Sequence, residues 1–238
     1  MKKSISIILG LSFIFGLSLH GQKAQDILQK AIAYHDPHGN WDNFKGKMQH
    51  VTIFSWGNIV NETIELDRSR DYYCSTASQD FGKVVRGMDG DKVFFSVNDK
   101  APESEEIIES WSLTQDGIAS FKEQHTCHFG QLMHLQETGM DLAEDAETVE
   151  FDGRTCYALK FTGESDQVTH PAYSGYRTLY IDKNSFEMRG VQGKIRDYTP
   201  YSYYFSNFIE VDGIKVPHSR VFIRDDGFRF TSVNMPVE

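Results

Sequence analysis

The dipeptide Asp-Gly occurs five times in this chain of 238 residues, at 89–90, 116–117, 152–153, 212–213 and 226–227. Asp and Gly tolerate the positive φ of a tight turn, so Asp-Gly between two runs of alternating polarity marks a hairpin. Four of the five lie between such runs, and the fifth leads into a helical pattern. Period-two runs rich in β-branched and aromatic residues predict strands over 48–54, 59–66, 71–76, 83–88, 92–97, 148–151, 155–161, 176–181, 188–195, 201–211, 215–223 and 228–233. Trp56-Gly57-Asn58 supplies a further turn between the first two.

Two segments carry helical spacing instead. Ala24 to Tyr34 has apolar residues at 24, 27, 28, 31 and 32, and Pro37 and Gly39 end it. Ile118 to Phe129 is the second, with Gly130 as a break or kink that costs about 1 kcal/mol against Ala. A turn over 132–135 follows, and the acidic run Glu103 to Glu109 reads as a solvated face or loop. The expectation is a mainly β (α+β) chain: a curved antiparallel half-barrel of roughly a dozen strands with two helices on its concave side. Residues 163–175, polar with Pro171 and Gly175, are expected to form a mobile loop.

The N-terminus opens with Lys2-Lys3 and an apolar run from Ile5 to Leu19 broken only by Ser and Gly. That is the layout of a secretory signal peptide, too short for a comfortable membrane span, with cleavage after Gly21. No Cys follows the run, so there is no lipobox. The expectation is therefore a leader over 1–21, one β domain over 22–238 with no membrane span, and a periplasmic or secreted location. Loss of Lys2 and Lys3 takes the formal net charge from −10 to −12. So acidic a chain, with no basic cluster, argues against nucleic acid and anionic membrane surfaces as partners. Cys74, Cys127 and Cys156 are odd in number and read mostly as small buried apolar residues.

Several strands are apolar on both faces. Val93-Phe94-Phe95 points neighbouring side chains opposite ways, and within 201–208 the residues Tyr201, Tyr203 and Phe205 form one aromatic row while Tyr204 and Phe208 form the other. A sheet one layer thick needs only one apolar face, so helix, ligand or partner must cover the second.

His125 and His128 fall three apart in the apolar stripe of the second helix, while Cys127 points elsewhere. Three-residue spacing lets two imidazoles share one metal ion. Only two ligands are visible and the His-Glu-x-x-His pattern is absent, so no metal is assigned. Two histidines bonded to sheet carbonyls or to a ligand are the alternative. The segment His35 to Trp41 reads as a helix end and turn, with Trp41 capping the core. No Gly-x-Ser-x-Gly elbow or Gly-rich phosphate loop is present, and no catalytic residue and no cofactor are assigned.

The hairpin from Gly87 to Val97, the strand from Tyr180 to Met188 and the segment from Glu210 to Pro217 resemble recurrent features of the lipoprotein-carrier (LolA/LolB-like) superfamily. Tyr34 to Trp41, with Phe129 to Leu135, is more closely similar to a family of uncharacterised exported bacterial proteins related to it. The similarity runs in order through residues 24 to 224. It implies a curved sheet with helices in its hollow and a cavity for acyl chains. Gln131 stands where that family has a leucine, and His134 interrupts its apolar run.

These readings converge on an exported binding protein for a lipid or other amphiphile. Trp111, Phe129, Tyr201 and Tyr203 would meet the apolar part, and His125 or His128 the polar head. The alternatives are a hydrolytic or metal-dependent enzyme built on His125 and His128, and an envelope-assembly protein that binds a protein partner through an edge strand.

Overall fold

The computed structural model describes residues 22–79, 82–164, 174–194 and 199–237. The expected leader over 1–21 lies outside the described residues, as does most of the expected 163–175 loop.

The chain runs β1 (Gln22–Lys23), α1 (Ala24–His35), β2 (Lys45–Phe54), β3 (Ile59–Asp67), β4 (Tyr72–Gln79), β5 (Gly82–Asp89) and β6 (Lys92–Val97). Then come α2 (Glu105–Ser110), α3 (Gln115–Glu137), β7 (Asp141–Leu142), β8 (Asp145–Phe151) and β9 (Arg154–Glu164). The last five strands are β10 (Ser174–Asp182), β11 (Met188–Lys194), β12 (Tyr201–Val211), β13 (Ile214–Arg224) and β14 (Arg229–Pro236). Among the described residues all fourteen strands belong to one antiparallel sheet, ordered β1-β8-β9-β10-β11-β12-β13-β14-β2-β3-β4-β5-β6, with β7 on β9. The sheet curves without closing into a barrel.

Two meanders make up this order, and β14 joins them by pairing with β2, Val233 opposite Val51. Asp-Gly forms the turns as the sequence predicts. At Asp152-Gly153 φ is 50° and 70°, and at Asp212-Gly213 it is 51° and 76°, the doubly positive geometry of a two-residue hairpin.

The helices occupy the hollow. α1 buries Ala24, Ile27, Leu28 and Ala31 against β8, β9 and β13. The α2–α3 segment links β6, at one edge of the sheet, to β7 and β8 at the other, so α3 must cross the concave face. It packs on β5 and β13 as it crosses. α2 and α3 each have a side-chain N-cap: the Ser104 hydroxyl accepts from the Ile107 amide at 3.4 Å, and the Thr114 hydroxyl from the Gly117 amide at 3.2 Å. α2 is one difference from expectation. A serine cap and two acids in its first turn make a short helix of residues that read as loop.

α3 is the other difference, running through Gly130 to Glu137 instead of stopping at 129. Gly130 leaves helical geometry, with φ −125° and ψ 44°. Its missing side chain is what admits Trp41, because a Cβ there would fall inside the indole ring. All three cysteines are free, with Cys127 and Cys156 buried.

Candidate functional site

Period two decides which strand side chains face the helices. On β3, Glu62, Ile64 and Leu66 share the buried face, and on β2 Gly46, Met48 and His50 do. Between this face and the α2–α3 segment lies a cavity of about 480 Å³, within the usual range for small-molecule sites. Phe54, Val60, Trp111, Phe121 and Phe230 are the apolar part of its lining. His50, Thr52, Glu62, Arg86, Ser110, Gln124, His125 and His128 are the polar part.

Four of the polar side chains, His50, Glu62, Arg86 and His125, are buried, and each is paired. Arg86 and Glu62, 3 % and 5 % exposed, meet at 2.7 Å between Nη2 and Oε1. Arg86 also donates to the Trp111 carbonyl at 3.1 Å and lies 3.4 Å over the Phe121 ring. Ser75 donates to the same Glu62 oxygen at 3.3 Å. A buried ion pair survives only when further bonds of this kind satisfy its remaining atoms.

The histidines are held as neutral rings. Asn234 donates to the Pro217 carbonyl at 2.8 Å, which turns its Oδ1 to accept from His50 Nδ1 at 2.7 Å. His50 Nε2 is then left to accept from the Thr52 hydroxyl at 3.1 Å. Burial, followed by the nearby Arg220 guanidinium, pushes His50 down to about 4. A base that weak takes protons poorly at neutral pH, so this chain of bonds is a fixture of the wall rather than a catalytic relay.

Burial, with His50, Arg86 and Arg220, also holds His125 well below its ordinary value. Its Nδ1 meets the Tyr73 hydroxyl at 2.9 Å. Its Nε2 stands 3.9 Å from Glu62 Oε2, and a neutral ring at that distance makes no ion pair. The three imidazoles lie 6.0–6.3 Å apart between centroids. Even so, among the described residues no three His, Cys, Asp or Glu side chains are placed to hold a metal ion.

Of the six side chains proposed from sequence, His125, His128 and Trp111 line the cavity. Tyr203 stands beside it, 6.0 Å from His128 and 6.3 Å from Phe230 between centroids. Tyr201 is buried behind Tyr203, against Phe222. Phe129 faces the core beneath, between His125 and Phe44. The sequence reading missed His50, Glu62 and Arg86. The parity of their strands is the signal that could have found them, since each falls on the face of its buried apolar neighbours.

The apolar lining continues outward to the β2–β3 turn, where Phe54 stacks on Trp56, 57 % exposed, at 4.8 Å. Ile53 and Ile59, 44 % and 61 % exposed, pair on the opposite face of the sheet. Across α3 a second cavity, about 350 Å³, is lined by charges that pair among themselves, Lys122 with Asp71 at 2.6 Å and His134 with Glu123. Among the described residues no helix is long and apolar enough to cross a membrane.

The fold is shared with solved bacterial proteins. A LolA superfamily protein from Nitrosomonas europaea superposes with a TM-score of 0.52 at 13% identity, over 90% of this chain and 91% of that one. A domain from Vibrio parahaemolyticus described as an outer membrane lipoprotein-sorting protein gives 0.51 at 12% identity, over 89% and 91%. At such identities the likeness is one of fold. No curated protein matches the chain. A family of unknown function, DUF6503, matches residues 2–200. With its LolA-like half-barrel and a partly polar, partly apolar cavity under α3, the chain belongs to that family, DUF6503.

Proposed function

We propose that this is an exported, periplasmic or secreted protein that binds a lipid or similar amphiphile in the cavity between α3 and the sheet. The observation that carries the proposal is a cavity lining that combines large aromatic side chains with buried polar ones. A molecule that is apolar at one end and polar at the other finds partners for both in such a lining. Trp111 and Phe121 would meet the tail, and His125 and His128 the head. Exposed Trp56, stacked on Phe54 of the lining, gives the tail an apolar path to the opening. The Lys2-Lys3 start and apolar run of the leader support export. The fold neighbours support a carrier role, one being described as a lipoprotein-sorting protein.

Native mass spectrometry of the chain from an exporting host, before and after organic extraction, tests the reading. A bound mass in the lipid range that extraction removes is expected. A bare polypeptide mass before extraction would count against it.

A further inference from the structure

A charge on the inner face of the sheet, that of Arg220, has no counterion among the described residues. Arg220 on β13 is 1 % exposed. Its Nη2 donates to the main-chain carbonyl of His128, and its Nη1 is buried without a hydrogen-bond partner. The groups acting on it electrostatically are a phenol, Tyr203, and a thiol, Cys127, and no carboxylate is among them. Arg86 differs, being cancelled by Glu62 at 2.7 Å. Arg220 is thus a buried positive charge with no paired carboxylate among the described residues, near a second buried arginine, Arg177, that acts on the same Tyr203. Burying an isolated charge costs several kcal/mol, which is why buried charges in proteins are paired.

The register places this charge behind the cavity wall: Arg220 is not itself part of the lining, but it bonds the carbonyl of His128, which is. Arg220 pairs with Ser232, and Ser232 with Thr52, so the three share one face. Thr52 lines the cavity two strands away, a backbone separation of about 10 Å that a long arginine side chain largely covers. Its field reaches His50 and His125, and it bonds the carbonyl of His128, and all three of these imidazoles line the cavity.

We propose that the amphiphile's head is an anion, the carboxylate of a long-chain acid, and that Arg220 behind His128 is its seat. A carboxylate there pairs with the guanidinium and supplies acceptors for Nη1. Arg86 clamps Glu62 and keeps that carboxylate from repelling the ligand. The proposal rests on the cavity-binding reading above and specifies its ligand.

The test uses the delipidated protein loaded with Nile red, a neutral probe, and challenged with palmitate, 1-hexadecanol and methyl palmitate. Palmitate is expected to displace the probe at concentrations about tenfold or more below the alcohol and the ester, the scale of a hydrogen bond to a charged group. Arg220→Met should abolish that preference by weakening palmitate alone, and Arg220→Lys should keep part of it. Equal potency of acid and alcohol on the unsubstituted protein would overturn the proposal and leave cavity binding standing. Failure of Nile red to bind, or of every competitor to displace it, would remove the cavity reading itself. Should Arg220→Met not fold, the acid-to-alcohol ratio on the unsubstituted protein still decides.

Discussion

Glu123 and His134 stand eleven residues apart on α3, yet their side chains bond to one another, Oε1 to Nε2. A straight helix would hold them about 16 Å apart along its axis. They meet because the helix turns back at Gly130, and His134 also bonds Glu137 at 3.2 Å through Nδ1. The imidazolium therefore ties the arm of α3 before the bend to the arm after it.

That tie is pH-dependent. Burial alone would lower His134, but the bonds to Glu123 and Glu137 outweigh it and push the ring up to about 9 from 6.5. A raised folded value means stability that is full below about 6.5 and lost as pH rises through about 9. His134→Gln should cost about 2 kcal/mol at pH 6 and much less at pH 10. Urea denaturation of both proteins at the two pH values measures it, and a deficit that grows with pH would refute the assignment.

Gly130→Ala should destabilise by about 1–3 kcal/mol, because its Cβ and the Trp41 ring claim the same space. Helix propensity alone predicts the opposite sign, a gain of up to about 1 kcal/mol. The urea midpoint therefore separates the two effects. Trp41 is held from the other side by its bond to Glu137 at 3.0 Å and by Arg68 over its ring at 4.3 Å, so it cannot move aside cheaply.

Glu62→Gln should cost about 3–5 kcal/mol, since it leaves Arg86 charged and buried. The double substitution Glu62→Leu with Arg86→Met should recover most of that loss. A double-mutant cycle by thermal denaturation shows whether the pair couples in this way. If the double variant is no more stable than Glu62→Gln alone, the ion pair is not what holds this wall.

The cysteine prediction is chemical. Reduction should leave the mass of the folded protein unchanged, and a thiol reagent should react with Cys74 before Cys127 and Cys156. Cys74 is only partly buried, though burial still pushes its thiol up and slows it. Three thiols should react in denaturant.

What the sequence made legible was local. Alternating runs and Asp-Gly turns set the hairpins, because both depend on a few adjacent residues, and Gly130 marked the bend in α3. The pairing of β14 with β2 was not legible, since no local pattern specifies which distant edges meet. Glu62, Arg86 and Arg220 escaped notice because charged residues in strands ordinarily face water. Their place on the inner face follows from strand parity, and their burial follows only once α3 is known to cross that face. His125 and His128 were legible as members of an apolar helical stripe, whereas His50, on β2, meets His125 at 6.0 Å only because α3 crosses the sheet there.

The measurement that bears most directly on the central claim is Nile red binding to the delipidated protein and to a cavity-filling variant, Val60→Trp. Val60 lines the cavity on β3 and is only partly buried, so the larger ring should occupy the cavity without breaking the sheet. The account predicts saturable, stoichiometric uptake by the unsubstituted protein and its loss in Val60→Trp at unchanged stability. Equal uptake by both proteins, or none by either, would contradict it.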